Sequence, residues 1–293
     1  METLLSCPVC QAGAFLPVLS CKDHFLSSEV FEIVQCSNCG LRFTNPRPFP
    51  DDLGKYYQSP DYISHSNSKK GLFHSVYQII RKYTLSRKYR LIVQHAKGKH
   101  ILDIGCATGE FLNLMKSKGW VTRGIEPDEA ARKQAILRYD LSVGDENHLK
   151  ELGNDQFDVI TLWHVLEHVS DLQQRMTELH RLLKPGGLLV IAVPNPESGD
   201  AVKYGSFWAG YDVPRHLYHF TQGSMTFLLD RFSFTLEKIL PMKWDSFYVS
   251  LLSEKYRHGK MNWIPGIWNG YCSNLAALKN SEYSSLIYLS RKN

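Results

Sequence analysis

Four cysteines near the start of the chain have the spacing of a metal site. They form two Cys-x-x-Cys pairs, Cys7 with Cys10 and Cys36 with Cys39, and 25 residues separate the pairs. Each pair can present two thiolates to one tetrahedral ion from a tight turn, and four thiolates leave no coordination position open. The spacing therefore predicts a structural zinc ion on these four residues, without a catalytic role.

A second group of reactive side chains lies in residues 208–221, where Tyr, His, Arg and Asp are concentrated. This run follows a strand-like segment, and ligands of open α/β sheets bind outside the carboxyl ends of the strands. A histidine there can accept a hydroxyl proton near neutral pH. We predict that His216 is this general base, that Asp212 orients its ring, and that Arg215 holds an anionic or hydroxylated acceptor.

Two other histidines, His219 and His168, are the alternative bases. In an extended stretch His216 and Tyr218 share one face while His219 turns to the other, so only one of the two loop histidines faces the substrate. The non-catalytic alternative is an ordered loop that packs aromatic side chains, with Thr221 capping the next helix.

A third group surrounds a glycine turn in residues 101–112, where a strand pattern gives way to a helix start. Gly105 and Gly109 allow the backbone to approach a ligand closely, and the helix start offers unpaired amides. Glu126 ends the next strand, where a carboxylate can accept hydrogen bonds from ribose hydroxyls. The turn lacks the Gly-x-Gly-x-x-Gly pattern of a dinucleotide site.

The elements that must position these groups alternate between strand and helix patterns from residue 99 onward. This alternation predicts an α/β fold with a parallel sheet covered on both faces. Strand-like segments lie at residues 101–104, 122–125, 141–143, 157–162, 188–193, 235–240 and 285–289. A proline-rich run at 45–50 marks a boundary, and residues 51–97 repeat apolar side chains at helical steps. The aromatic-rich stretch 244–280, between the last two strands, has no assigned structure.

Composition limits the class of protein. The chain has 293 residues, 43% of them hydrophobic, which suffices for one catalytic domain and a small module. No apolar run approaches the ~18 residues that span a bilayer, and residues 1–11 lack the features of a signal peptide. We therefore expect no membrane span and a cytoplasmic location. The net charge is +5, but Lys and Arg are scattered, so nucleic acid is a permitted partner and not the favoured one.

Residues 99–243 resemble the class I S-adenosylmethionine-dependent methyltransferases. The resemblance rests on four motifs in order, at residues 103–109, 124–126, 157–160 and 183–187. It implies a Rossmann-like seven-stranded sheet in which Asp103, Gly105 and Glu126 bind the cofactor, with Asp103 suited to its ammonium group. It also implies that Asp145 and Glu146, after the third strand, hold adenine. Ala107 stands where the family has its middle glycine, so the turn has tighter steric limits.

The order of a four-cysteine module before this domain resembles the sugar C-methyltransferases of deoxysugar pathways. It is also similar to ribosomal RNA guanine methyltransferases with an N-terminal zinc motif. The sugar enzymes carry a Tyr-Asp-Glu-His run with a catalytic histidine, to which Tyr211, Asp212 and His216 are similar, with Arg215 in place of the acid. Their further C-terminal domain has no counterpart in these residues, which leaves the reaction open between oxygen and carbon acceptors.

Residues 163–168 follow the fourth strand. Quinone O-methyltransferases have a magnesium-binding Glu-x-x-Glu-His at this place, and here His164 replaces the first glutamate. Imidazole is a poor ligand for a hard ion, so we predict that Trp163 and His164 shape the cofactor pocket, and a metal on His164, Glu167 and His168 stays open. The same letters spell an inverzincin protease motif, but their position at a strand end argues against a protease.

Together these patterns predict an α/β protein with three parts: a zinc ribbon at 1–48, a helical connector at 49–98 and a class I methyltransferase domain at 99–293. The predicted cofactor-binding residues are Asp103, Gly105, Cys106, Ala107, Gly109, Glu126, Asp145, Glu146, Trp163 and His164. The predicted catalytic residues are Tyr211, Asp212, His216 and His219. The predicted acceptor is a small molecule or glycan methylated on oxygen with a histidine base. A sugar C-methyltransferase, a ribosomal RNA methyltransferase and a non-catalytic zinc-ribbon adaptor are the alternatives.

Overall fold

A computed structural model of the chain describes residues 1–57 and 72–293, and within 72–82 it describes only the backbone. The strands of this part of the chain form two sheets. Their bounds are β1 (Phe15–Lys22), β2 (Val30–Cys36), β3 (Arg42–Thr44), β4 (His100–Ile104), β5 (Val121–Ile125), β6 (Val143–Gly144), β7 (Phe157–Trp163), β8 (Leu183–Pro194), β9 (Tyr218–His219), β10 (Phe234–Pro241) and β11 (Ser285–Lys292).

Helices fill most of the connections between the strands. They are α1 (Leu72–His95), α2 (Glu110–Ser117), α3 (Glu129–Tyr139), α4 (Glu146–Glu151), α5 (Leu172–Leu182), α6 (Gly199–Tyr204), α7 (Gln222–Arg231), α8 (Asp245–His258) and α9 (Trp263–Asn280). Short 3₁₀ turns occur at Pro50–Tyr57, Leu166–His168, Gly205–Phe207 and Ala209–Tyr211. No helix in the described ranges is long and apolar enough to cross a membrane.

The larger sheet has the strand order β10-β11-β8-β7-β4-β5-β6. Strands β4 to β8 are parallel, and β11 runs antiparallel to both of its neighbours. The continuous apolar run of β8 is explained by its place in the middle of this sheet, where both faces are buried. The predicted Rossmann-like seven-stranded sheet is confirmed, and each strand predicted for it overlaps an observed strand.

Helix α5 ends at Leu182 and β8 begins at Leu183, so residues 184–187 lie within the strand. One segment had no structure assigned from the sequence. The stretch 244–280 folds as α8 and α9, an antiparallel insertion between the last two strands. The sequence did not predict these helices because the buried face of α9 consists of small and polar residues instead of apolar ones.

The smaller sheet joins the N-terminal segment to the loop that follows β8. Its order is β1-β2-β3-β9, all antiparallel, so the edge strand comes from the loop that follows β8. Phe43 of β3 pairs with Tyr218 of β9, and the Thr44 amide donates to the Leu217 carbonyl at 3.0 Å. The loop that carries His216 is thereby held by the cysteine-containing segment. Of the predicted connector, α1 is helical, and residues 58–71 lie outside the described ranges.

Candidate active site

The turn after β4 has the backbone of a ligand-binding loop. Gly105, Ala107 and Gly109 have φ values of 71°, 46° and 82°, which lie in the left-handed region. A Cβ on Gly105 would lie 2.4 Å from Val165 Cγ2, and one on Gly109 would lie 2.6 Å from Leu141 Cδ1. Glycine is therefore required at both positions, while Ala107 keeps the same backbone with a methyl group.

Two buried carboxylates lie at the ends of the adjacent strands β4 and β5. Asp103 accepts a hydrogen bond from Thr161 Oγ1 at 2.5 Å, and burial raises the pKa of Asp103 to about 7. Glu126 accepts the amides of Ala107 at 2.8 Å and Asp128 at 2.9 Å, and burial raises its pKa as well. Each carboxylate oxygen has a second lone pair, so both groups can still accept hydrogen bonds from a ligand.

Lys88, on α1, belongs to the same candidate site, although no sequence motif pointed to it. Its Nζ lies 4.2 Å from the centre of a Trp163 ring, and its charge interacts with those of Asp103 and Asp245. Burial lowers the pKa of Lys88 to about 8. In the sequence it is one cation among several in a helical segment, and nothing local distinguishes it from Arg87 or Arg90.

A cavity of about 340 Å³ opens beside Lys88, between α1 and the residues that follow β10. Trp163 lines this cavity, and its indole N–H is buried without a hydrogen-bond partner among the described residues. The cavity lining also includes Arg87, Lys88, Arg90, Lys243 and Asp245. The cavity therefore combines an aromatic wall with an excess of positive charge.

Three further residues of the predicted cofactor set have partners within the protein. The Asp145 carboxylate caps α4 by accepting the amides of Asn147 and His148, and Glu146 forms an ion pair with Arg175. The Cys106 side chain is buried under the turn, where a Cβ on Gly124 would lie 2.7 Å from its Sγ. Cys106 can thus contribute its backbone to a ligand, and its thiol belongs to the core.

His164 lies at the end of β7 with a positive φ of 57°. Its Nε2 is 3.1 Å from Asp245 Oδ2, and its Nδ1 is 3.5 Å from Glu167 Oε1. Burial lowers the pKa of His164, but hydrogen bonding to the two acids outweighs it and raises the pKa to about 10. His164 is therefore a cation near neutral pH and a poor proton acceptor.

Glu167, His168 and His216 form a compact buried cluster. One ligand atom from each lies within 4.8 Å of the other two. The side chain of Glu167 is fully buried, and apart from the 3.5 Å approach of His164 Nδ1 to Oε1 its carboxylate oxygens have no hydrogen-bond partner among the described residues. The His216 Nδ1–H donates to the Gly210 carbonyl at 2.9 Å, so Nε2 carries the lone pair of the neutral ring. These groups could hold a proton or a divalent ion.

Asp212 and Arg215 belong to a buried ion-pair network. The Arg215 guanidinium lies 2.7 Å from Asp212 Oδ1 and 3.1 Å from Asp23 Oδ1, and it also donates to the Tyr56 carbonyl. The sequence predicted that Arg215 holds an acceptor. Instead, Arg215 is 3% exposed and protein groups occupy its hydrogen-bonding positions. Asp212 lies 3.9 Å from His216 Nε2, which agrees with a role in orienting or polarising that ring.

Tyr211 and His219, the other predicted catalytic residues, pack towards the smaller sheet. His219 Nε2 lies 3.4 Å from Thr44 Oγ1, and the two rings meet edge to face at 5.3 Å. Burial lowers the pKa of His219 well below its usual value. The structure thus brings His216 together with His168, Glu167 and Asp212, and it gives His219 partners on β3.

The four predicted zinc ligands converge at the base of the smaller sheet. The Cys7 and Cys39 sulfurs are 3.5 Å apart, the Cys10 and Cys36 sulfurs are 3.4 Å apart, and all four lie within 4.8 Å of one another. Zn–S bonds of about 2.3 Å in a tetrahedron place sulfurs about 3.8 Å apart. The donor set and its spacing therefore fit one tetrahedral ion.

Comparison with known proteins places this geometry in a family. A family model described as a methyltransferase domain matches residues 77–239. A probable S-adenosylmethionine-dependent methyltransferase of Mycolicibacterium smegmatis is 27% identical over 158 residues, which are 52% of this chain and 58% of that protein. A ubiquinone biosynthesis O-methyltransferase of Pseudomonas aeruginosa is 34% identical over 106 residues, 33% of this chain and 45% of that protein. The chain thus spans about half the length of these curated relatives.

Among solved structures, a SAM-dependent methyltransferase of Thermotoga maritima has a similar fold. Its TM-score is 0.52 at 14% sequence identity, over 82% of this chain and 100% of that chain. At this identity the likeness concerns the fold alone. Because the family match covers more than half of the chain and includes the turn after β4, the chain belongs to the methyltransferase-domain family.

Proposed function

We propose that this protein transfers the methyl group of S-adenosylmethionine to a hydroxyl group of a small molecule or glycan. The observation that carries the proposal is the left-handed turn between Asp103 and Glu126 at adjacent strand ends, with the Lys88 ammonium near enough for its charge to interact with that of Asp103. A zwitterionic amino acid joined to a ribose is complementary to this set of charges. Family membership supports the same cofactor.

Each part of the cofactor has a counterpart among these side chains. Asp103 would pair with the ammonium group, Lys88 with the carboxylate, and Glu126 with the ribose hydroxyls through its remaining lone pairs. Asp145 and Glu146, both half-buried at the start of α4, would hold adenine. The bound cofactor supplies an electrophilic methyl group on a sulfonium.

The protein has two tasks in such a transfer: to align the acceptor oxygen with the methyl group and to accept the hydroxyl proton. His216 is suited to the second task, since the Gly210 carbonyl holds the hydrogen on Nδ1 and leaves Nε2 basic. Similarity to ubiquinone O-methyltransferases over about a third of the chain supports an oxygen acceptor. The cations Arg87, Arg90 and Lys243 around the cavity favour an acceptor with a carboxylate or phosphate.

Cofactor binding should depend on pH through Asp103. Its pKa of about 7 in the free protein means that the carboxyl is protonated below pH 7 and cannot pair with an ammonium. We expect S-adenosylmethionine affinity, measured by calorimetry, to be in the micromolar range and to fall about tenfold per pH unit on acidification below 7. Asp103→Asn should weaken binding at least about tenfold and abolish this pH dependence.

Asp140→Asn is the matched control, because Asp140 is an exposed acid at the end of α3 and should leave both affinity and pH dependence unchanged. Glu126→Ala should weaken binding through loss of the ribose contacts. Unchanged affinity in Glu126→Ala, together with a flat pH profile in the wild type, would refute the cofactor site.

We also propose that Cys7, Cys10, Cys36 and Cys39 hold one structural zinc ion. Protein purified without added metal should contain one zinc per chain by elemental analysis, and Cys10→Ser should lower that content and the melting temperature together. Cys272→Ser, at a half-buried cysteine of α9, is the control and should retain the metal.

Elemental analysis also tests whether the cluster of Glu167, His168 and His216 holds a metal ion. A further metal equivalent that is lost in His216→Ala would assign an ion to Glu167, His168 and His216. That ion would then replace the histidine as the group that activates the acceptor. A folded protein with no metal at all would refute the zinc proposal.

A further inference from the structure

Helix α9 buries its small and polar residues and exposes its large apolar ones, which is the reverse of an ordinary surface helix. Its buried face consists of small and polar residues, Gly266, Asn269, Gly270, Ser273 and Ala277. Its outward face carries large apolar residues at alternating steps of four and three, here called the outer stripe: Ile264, Trp268, Tyr271, Leu275 and Leu278. Surface helices of globular proteins normally place the apolar residues on the buried side.

This orientation is fixed by packing and hydrogen bonds. A Cβ on Gly270 would lie 2.8 Å from Phe247 Cα, and one on Gly266 would lie 2.8 Å from Leu251 Cδ2, so α9 approaches α8 too closely for larger side chains. Asn269 donates to Tyr204 Oη at 2.7 Å, and Ser273 donates to Asp200 Oδ1 at 2.6 Å. Rotating the helix to bury its apolar face would break these contacts and insert bulky groups into the α8 interface.

The outer stripe is therefore left uncovered by the residues that the structure describes. Ile264 is 85% exposed, Trp268 62% and Leu278 67%. Contiguous exposed apolar surface of this kind marks an interaction site in a stable protein. The stripe runs the length of an 18-residue helix, which is too polar on its other face to span a bilayer but can lie along one.

Charge indicates which partner covers the stripe. Residues 255–281 contain no Asp or Glu, whereas Lys255 and Arg257 lie in the last turn of α8, Lys260 precedes α9 and Lys279 lies in its last turn. If two copies paired through this helix, a parallel or an antiparallel arrangement would bring lysines at residues 260 and 279 next to like charges. An anionic surface would instead attract these cations, and Trp and Tyr are the residues that prefer the boundary between lipid and water.

We propose that α9 docks this protein on the surface of a bilayer that contains anionic phospholipids, with the outer stripe in the headgroup region. The docking goes beyond the proposed methyl transfer and does not depend on it. Helix α9 packs with its inner face against α8, and α8 begins at Asp245, which lines the cavity beside Lys88.

The test is co-sedimentation of the full-length, zinc-loaded chain with vesicles. The wild type should bind vesicles of phosphatidylcholine with about one third phosphatidylglycerol, and should bind pure phosphatidylcholine at least about tenfold more weakly, since cations near the surface contribute electrostatic attraction. Binding should weaken as salt is raised. The double variant Ile264→Glu/Trp268→Glu should lose at least about tenfold in vesicle affinity by placing charges in the apolar contact.

Leu137→Glu is the matched control: Leu137 is 86% exposed on α3, so the same change there should leave vesicle binding intact. Lys260→Glu/Lys279→Glu should reduce binding to anionic vesicles and leave binding to neutral ones unchanged. Circular dichroism and S-adenosylmethionine calorimetry on each variant separate loss of docking from loss of fold or of the cofactor site.

Three outcomes would overturn the proposal. The first is that the wild type binds neither kind of vesicle. The second is that Ile264→Glu/Trp268→Glu binds vesicles as tightly as the wild type. Alternatively, light scattering would show a dimer that Ile264→Glu/Trp268→Glu dissociates while vesicle binding is absent, which would assign the stripe to a second copy of the chain.

Discussion

Turnover in His216→Ala should fall at least about 100-fold, and by as much as about 10,000-fold, while S-adenosylmethionine affinity stays unchanged. The reason is that His216 Nε2 is the basic nitrogen of a ring fixed by the Gly210 carbonyl, and the variant removes the acceptor of the hydroxyl proton. The measurement is transfer of a radiolabelled methyl group to an acceptor found by screening phenols and glycosides that carry a carboxylate or phosphate. Raising the pH should partly restore turnover, because the acceptor then ionises without a base.

His219→Ala is the comparison variant. Since His219 packs on Thr44 and Tyr211, its loss should lower the melting temperature more than turnover. Near-normal turnover in His216→Ala would contradict the assignment and move the role to His168 or His219. If turnover falls and a metal equivalent disappears with it, His216 is a metal ligand and not the base.

The second large effect concerns stability. Arg215→Met should lower the free energy of unfolding by about 3–5 kcal/mol at neutral pH, because it leaves the buried carboxylate of Asp23 and the partly exposed carboxylate of Asp212 without their cation. Burial tends to raise the pKa of both acids, and hydrogen bonds and Arg215 currently hold those pKa values below the usual range. Without the cation these pKa values rise, so the destabilisation should shrink as acidification protonates the carboxyls. Urea unfolding from pH 7 down to pH 4 measures this trend.

Arg231→Met is the matched control, since Arg231 is exposed in the last turn of α7 and its loss should change stability by less than about 0.5 kcal/mol. In the double variant Asp23→Asn/Arg215→Met one uncompensated charge is absent, so its stability should exceed that of Arg215→Met. A loss below about 1 kcal/mol in Arg215→Met at pH 7 would contradict the network as a stabilising element.

The sequence by itself determined the larger sheet and the turn at its first strand. Apolar runs such as the one in β8 and the glycines of residues 105–109 act locally, because period and φ preference are properties of a few consecutive residues. The candidate metal site could likewise be recognised from local sequence. Each Cys-x-x-Cys turn supplies two thiolates, and the two turns need only come together to form the site. The assignments of Asp103 and Glu126 followed from their places at strand ends, which the same local patterns define.

The tertiary structure decided everything that depends on contacts between distant segments. The pairing of β3 with β9 joins residues about 175 positions apart. It fixes the directions in which the side chains of His216 and His219 leave the loop. Lys88 comes near Asp103 only because α1 packs beside that end of the sheet. Arg215 meets Asp23, which follows β1 in the segment that the sequence had placed in another module. The inverted orientation of α9 likewise depends on glycines that fit against α8. Periodicity reports that a face is buried or exposed, but the partner that buries it is selected by shape and charge across the whole chain.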